Sequence, residues 1–150
     1  MVFNSVTGGH LRSPPRFNGE IRTVAISSDQ SLWAIGLSSG QIQILRPSDF
    51  KTLATLEEHA TEIVGLIFRA DSHAHQLVSA SEDGSIRLWT KSGETWRRER
   101  VLFESEIPIR SIDLSSDGSQ LIAVRQGEFV VHHWDLWKLD DQLQSLQSQR

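Results

Sequence analysis

Residues 77–90 read LVSASEDGSIRLWT, two short runs of β-formers joined by Asp83-Gly84. Before the step, Val78 and Ala80 alternate with Ser79 and Ser81; after it, Ile86 and Leu88 alternate with Ser85 and Arg87. A period of two marks a strand with one buried face, and an Asp-Gly step tolerates the positive φ of a tight hairpin turn. Trp89 closes the second run. The stretch predicts an antiparallel hairpin.

Working outward, the same pattern recurs on both sides. IRTVAISSD (21–29), IVGLIFRAD (63–71) and IRSIDLSSD (109–117) align, with apolar residues at the first, fourth and sixth positions and a closing Asp. Each segment predicts a strand that ends at a turn. A second strand follows in each copy, at Leu32-Trp-Ala-Ile, Leu77-Val-Ser-Ala and Leu121-Ile-Ala-Val, then a turn at Gly40, Gly84 or Gly127. Third strands are expected at residues 41–45, 85–89 and 129–134, and weaker fourth strands at 51–56 and 100–103. The copies start 42 and 46 residues apart, and a period of about 40–45 residues is that of four-stranded propeller blades. One such unit cannot bury a core alone, so the copies must stack.

The end of the chain departs from this pattern. Leu136, Leu139, Leu143 and Leu146 fall on one helical stripe, and Asp135 precedes them as a candidate N-cap. The expected organisation is an irregular lead-in at 1–16, three repeats over 17–136 (about 21–62, 63–108 and 109–136), and a helical tail at 137–150. Gly8, Gly9, Pro14 and Pro15 break the lead-in, where Val2-Phe3 or Phe17 could add a short edge strand.

Composition narrows the function classes. With 38% hydrophobic and 23% charged residues the chain is globular, and a formal net charge of −4 gives no long-range pull toward nucleic acid or anionic membrane. No apolar run reaches the ~20 residues of a membrane helix. The chain has no cysteine, which removes disulfides and thiolate ligands. The expectation is a cytoplasmic protein without cofactor or metal, and without a nucleic-acid or membrane partner.

The middle copy resembles the WD-repeat β-propeller family. Glu58-His59 stands where that family usually has Gly-His, Trp89-Thr90 stands where it has Trp-Asp, and the third copy ends in a true Trp134-Asp135. The resemblance spans residues 18–136. It implies an all-β fold, a partial β-propeller of about three four-stranded blades with a short C-terminal helix. It also implies that His59, Ser79, Asp83 and Trp89 form a hydrogen-bonded set pinning the middle blade. The outer copies lack the set: Leu45 replaces the Trp and Ser39 the Asp in the first, while Gln126 replaces the Asp in the third. The outer blades should therefore rest on apolar packing. The closing WDLWKLDDQLQSL looks like the tail of large bacterial WD-repeat proteins.

Ser79, His59 and Asp83 are also the residue types of a hydrolytic triad, but Ser79 lies mid-strand and no G-x-S-x-G elbow exists. His73-Ala-His75 with Asp71 offers imidazoles and a carboxylate in an expanded turn, a pattern read as solvated loop residues. His132 and His133 alternate faces on a strand and cannot easily share an ion. The His of Gly8-Gly9-His10 is out of register with His59. Residues 91–100, KSGETWRRER, mix basic groups with Trp96, but Glu94 and Glu99 blunt the charge.

The resemblance implies binding of proteins or peptides through loops on one rim. The matching positions are Ser38, Glu82 and Arg125, each two residues before a turn glycine, with Arg22 and Arg110 near the starts of matching strands. The expected function is a non-catalytic interaction scaffold. Three blades cannot close a ring, so the scaffold is read as part of a larger propeller or of an assembly with itself or other blades. The alternatives are a regulatory segment of a multidomain kinase or hydrolase, and a truncated remnant without a role of its own.

Overall fold

The three repeats build three antiparallel sheets packed face against face. The computed structural model describes residues 15–70 and 75–147. The Val2-Phe3 and Gly8-Gly9-His10 stretches, Asp71, His73, and the side chains of Leu143 and Leu146 lie outside the described residues. Blade 1 comprises β1 (Ile21–Ile26), β2 (Trp33–Leu37), β3 (Ile42–Arg46) and β4 (Lys51–Leu56), paired in that order. Blade 2 comprises β5 (Ile63–Arg69), β6 (Gln76–Ser81), β7 (Ser85–Ser92) and β8 (Thr95–Glu104). Blade 3 has β9 (Ile109–Leu114), β10 (Gln120–Arg125) and β11 (His132–Asp135), and α1 (Leu136–Gln147) follows. The first strands touch in sequence, β1 with β5 and β5 with β9, so they form the inner side of an arc.

Alternation along the strands assigns each apolar residue to an interface. Ala34, Ile42 and Ile44 of blade 1 meet Ile63, Leu66, Leu77 and Trp89 of blade 2 in one core. Val78, Ala80, Ile86 and Leu88, from the other face of blade 2, meet Ile109, Leu121 and Ala123 of blade 3 in a second. The middle blade is thus apolar on both faces. Each fully buried Leu or Ile contributes about 1.5–3 kcal/mol, so the two interfaces hold the sheets together.

Three features differ from the sequence reading. Blade 3 has three strands among the described residues, not four, because the chain turns into α1 directly after β11. Strand β11 starts at His132; residues 129–131 are unpaired, since two extra residues after Gly127 lengthen the turn. In blade 1, Trp33 pairs with Ile26 and Leu45, as Leu77 pairs with Phe68 and Trp89. The match to Leu77 is therefore Trp33, one residue past Leu32. Leu32 sits buried at the end of the turn, its amide donating to Ser27 Oγ at 3.0 Å.

A bulge opens every inner strand. The pairing skips Arg22 in β1, Val64 in β5 and Arg110 in β9. A bulge inserts one unpaired residue and re-aims its side chain.

Candidate functional site

The middle hairpin brings His59, Ser79, Asp83 and Trp89 together. Trp89 Nε1 donates to Ser79 Oγ at 2.8 Å, and Ser79 Oγ lies 2.7 Å from His59 Nε2. On the other side of the ring, His59 Nδ1 lies 3.1 Å from Asp83 Oδ2. A neutral imidazole with its proton on Nδ1 satisfies every donor: indole to hydroxyl, hydroxyl to Nε2, Nδ1–H to carboxylate. The carboxylate also accepts from the Ala60 amide at 2.9 Å, the Ser85 amide at 2.9 Å and Ser85 Oγ at 2.6 Å. Burial pushes the Asp83 carboxyl up, but these donors outweigh it and hold it well below the usual carboxylate range.

This set ties three segments together. His59 belongs to the link between blades 1 and 2, Asp83 to the β6–β7 turn, and Ser79 and Trp89 to neighbouring strands. Ser79 has no exposed surface, so its hydroxyl reaches no substrate, and it is already engaged on both sides. The arrangement can orient and hold; it cannot act as a nucleophile.

Blade 1 fills the same places with apolar groups. Phe17 stands four residues before β1, as His59 does before β5, and by register Ile35 matches Ser79 and Leu45 matches Trp89. Ile35, Leu37 and Leu45 cluster with Phe17 and Trp33 packed against them. In blade 3, Trp134 packs edge-on against Phe103 with centroids 5.3 Å apart and stacks with His132 at 6.2 Å.

The rim residues share one end of the sheets. In each blade a turn amide reaches the residue before the inner strand: Ser38 N to Glu20 O, Glu82 N to Glu62 O, Gln126 N to Pro108 O. The Ser38 hydroxyl accepts from the Glu20 amide at 3.2 Å. Bulged Arg22 pairs with Glu20 at 3.1 Å and with Glu62 of the next blade at 2.5 Å. Bulged Arg110 reaches back to Glu82 at 3.4 Å. Both arginines lean toward blade 2 while keeping 40% and 53% of their side-chain surface exposed. Arg125 is not the match of Ser38 and Glu82: it pairs with Ile109 as Leu37 pairs with Ile21 and Ser81 with Ile63, so Gln126 holds that place. Arg125 pairs with Glu128, donates to His132 Nε2 at 3.1 Å and lies over the Phe103 ring at 5.4 Å.

The remaining candidates fall elsewhere. His75 Nε2 lies 2.9 Å from Asp29 Oδ2 and 3.4 Å from Ser31 Oγ, a clasp between blades 2 and 1. Both contacts use the same ring nitrogen. His132 faces Glu128 and His133 faces Gln120, in keeping with their alternation. Among the described residues no group of three or more His, Asp or Glu could hold a metal. Trp96 packs edge-on against Phe68 with centroids 6.4 Å apart, beside the first core. Arg98 pairs with Glu58, and Arg100 with Glu99 and Asp140. The basic stretch therefore serves the fold.

The sequence reading overlooked two sets of residues. The pattern Ser-x-Asp-x-Ser occurs at 27–31, 81–85 and 115–119. In each, the Asp accepts from the amide two residues on, at 3.0, 2.9 and 3.0 Å. This is the turn-forming habit of Asp, and the spacing alone could have revealed it. The Ser115 hydroxyl, then the Ser119 amide and hydroxyl, bring the Asp117 carboxyl down to about 2. The second set is Arg69 and Arg100, which converge on Asp140 of α1 at 2.9 and 3.2 Å. No local signal links residues so far apart.

Residues 50–90 match the family model described as "WD domain, G-beta repeat". A solved structure, "Structure of U3-55K", superposes with a TM-score of 0.71 at 26% identity, over 89% of this chain and 41% of that one. The chain carries a WD40-type partial β-propeller domain. It is 32% identical over 123 residues to "WD repeat and SOCS box-containing protein 1" of Xenopus tropicalis, covering 82% of this chain and 28% of that protein. It is 31% identical over 70 residues to "Periodic tryptophan protein 2" of Arabidopsis thaliana, covering 47% of this chain and 8% of that protein. The WD40-type domain thus spans under a third of either curated relative. Neither relative is bacterial, and the bacterial likeness of the closing stretch gains no support from them.

Proposed function

We propose that this WD40-type domain is a non-catalytic scaffold that binds a protein or peptide partner across its rim, as three blades of a larger propeller or assembly. The observation that carries this reading is the rim itself. Three turns are bonded at equivalent places to the inner strands, and two bulges aim Arg22 and Arg110 outward from that rigid frame. Surfaces held this way suit recognition, because little ordering is left to be done on binding. Alternation of Glu20, Arg22 and Glu62, then Glu82 and Arg110, favours a partner of mixed charge over a polyanion.

The larger ring has its own support. The backbone oxygens of His59 and Ser105 crowd the Gly40 and Gly84 turns, where an added Cβ would lie 2.4 and 2.0 Å from them. At Gly127 no described residue lies within 4 Å. Each of the first two turns thus seats the approach to the next blade, a role the Gly127 turn would take in a larger ring.

The test is affinity capture with the chain and with an Arg22→Glu/Arg110→Glu variant. The two side chains keep 40% and 53% of their surface exposed, so the variant is expected to stay folded, with a modest loss of melting temperature from the surface ion pairs it removes. Partners that use the rim should fall at least about tenfold in recovery, the weight of one or two lost interfacial ion pairs. Equal recovery of every partner would overturn the rim reading.

A further inference from the structure

At the end of the sheets opposite the rim, blades 1 and 2 leave a cleft of about 400 Å³ between them, a size within the range of small-ligand sites. Its polar walls come from both blades: Arg46, Lys51 and Thr52 stand on blade 1, and His75, Lys91 and Glu94 on blade 2. The chain has three lysines, and two of them line this one space. The third, Lys138, pairs with Asp135. Lys51 and Lys91 have no ion-pair partner among the described residues, and the Thr52 hydroxyl has no hydrogen-bond partner among them. The other groups are engaged. Arg46 binds Asp49 at 2.6 Å and lies in the field of Glu94. His75 and the Ser31 hydroxyl both hold Asp29, at 2.9 and 2.8 Å. A concave wall focuses the field of the charges set in it, so two unpaired ammonium groups make this cleft attractive to anions although the chain as a whole carries −4.

We propose that this cleft binds a phosphate monoester, its dianion held between Lys51 of one blade and Lys91 of the next. The terminal oxygens accept from both ammonium groups, and the Thr52 hydroxyl is a third donor. Three oxygens serve donors from two walls at once, which the two oxygens and single charge of a carboxylate do less well. Glu94 selects in the same direction. A monoanion gains little against its repulsion, whereas a phosphate ester carries about −1.5 to −2 near neutral pH. The cleft has room for more than the phosphate group. Leu32 and Leu53 also line it and give the ester's carrier group an apolar surface to lie on. The bound ester bridges blades 1 and 2 beside the His75–Asp29 clasp. This site is separate from the rim, so the proposal stands or falls without it.

The probe is phenyl phosphate, titrated into the full chain by calorimetry at low salt and about pH 7.5, where the ester is close to dianionic. Inorganic phosphate is titrated in parallel. Phenyl phosphate is expected to bind at least about threefold more tightly than inorganic phosphate, because its ring adds apolar contact. Lys51→Gln/Lys91→Gln should weaken it at least about tenfold, since two charge-assisted hydrogen bonds are lost. The melting temperature of the unliganded variant should stay close to the parent's, because neither ammonium gives up an ion pair. Glu94→Gln should tighten binding about threefold or more by removing a like charge, a gain that a folding defect does not produce. Absence of binding at millimolar phenyl phosphate would overturn the proposal, and so would unchanged affinity in the double lysine variant. Equal affinity for inorganic phosphate would make this a site for the free ion and overturn the ester assignment. Arg22→Glu/Arg110→Glu should leave the titration intact, which separates this result from that of the rim.

Discussion

At the scale of single residues, Asp83 couples the middle hairpin to the link between blades. Its carboxylate gathers His59, Ser85 and two backbone amides, and the balance holds its titration well below the usual range. A carboxyl depressed in the folded state contributes stability that is fully present above its unfolded value, about pH 4, and is lost as pH falls further. Asp29, Asp117, Glu99, Glu128 and Asp135 are depressed as well. The whole protein should therefore weaken in acid, and a single melt would not isolate Asp83. The difference between the parent and Asp83→Asn does so. At neutral pH the variant is expected to unfold at lower urea. The gap should narrow as pH drops from about 4 toward 2, because the unfolded parent takes up a proton there that the folded carboxylate still refuses. Paired urea titrations across that range check this, and a constant or widening gap would refute it.

At the scale of elements, the turns decide how closely blades approach. Gly84 has φ +83° and its missing Cβ leaves room for the backbone of Ser105; Gly127 has φ +74° with open space around it. Alanine at either site meets the left-handed penalty of about 1–2 kcal/mol. Only Gly84→Ala must also displace the chain entering blade 3. It is expected to cost about 1–2 kcal/mol more than Gly127→Ala, in the range of other steric insertions. Equal costs in urea melts would mean that the close approach at Gly84 contributes nothing. The same elements explain what could be read from the chain. Alternation placed the middle hairpin correctly, because a one-residue slip would exchange the apolar Val78, Ala80, Ile86 and Leu88 facing blade 3 with Ser79, Ser81, Ser85 and Arg87 on the other face. In β2 the run Leu32-Trp33-Ala34-Ile35 is apolar throughout, so alternation could not fix the register, and Leu32 was matched where Trp33 belongs. The four network residues were visible through family likeness, while Ser85 and the Ala60 amide were not. Backbone donors leave no trace in side-chain identity, and the bulges that aim Arg22 and Arg110 are visible only in the pairing.

At the scale of the whole molecule, the arc has two unlike ends. Leu66 and Phe68 of β5 face blade 1, and Ile112 and Leu114 of β9 face blade 2. Val24 and Ile26 hold the same positions in β1 and are 60% and 59% exposed, with Ile21 at 47% beside them. The opposite end, past blade 3, places Ser111 and Asp113 where β1 has Thr23 and Ala25. Along the inner strands, blade 1 therefore presents the more apolar free face. Burying Val24 and Ile26 would yield a few kcal/mol at about 1.5–3 kcal/mol for each fully buried side chain, enough to drive association of a chain left alone. Static light scattering on the purified chain should show apparent mass rising with concentration. Val24→Lys/Ile26→Lys should lower that rise without lowering the melting temperature, since both side chains face solvent in the single chain. A parent that remains monomeric at all concentrations would mean that this face needs no cover. A variant that associates as strongly as the parent would move the contact elsewhere, with the edge of β11 the next surface to block.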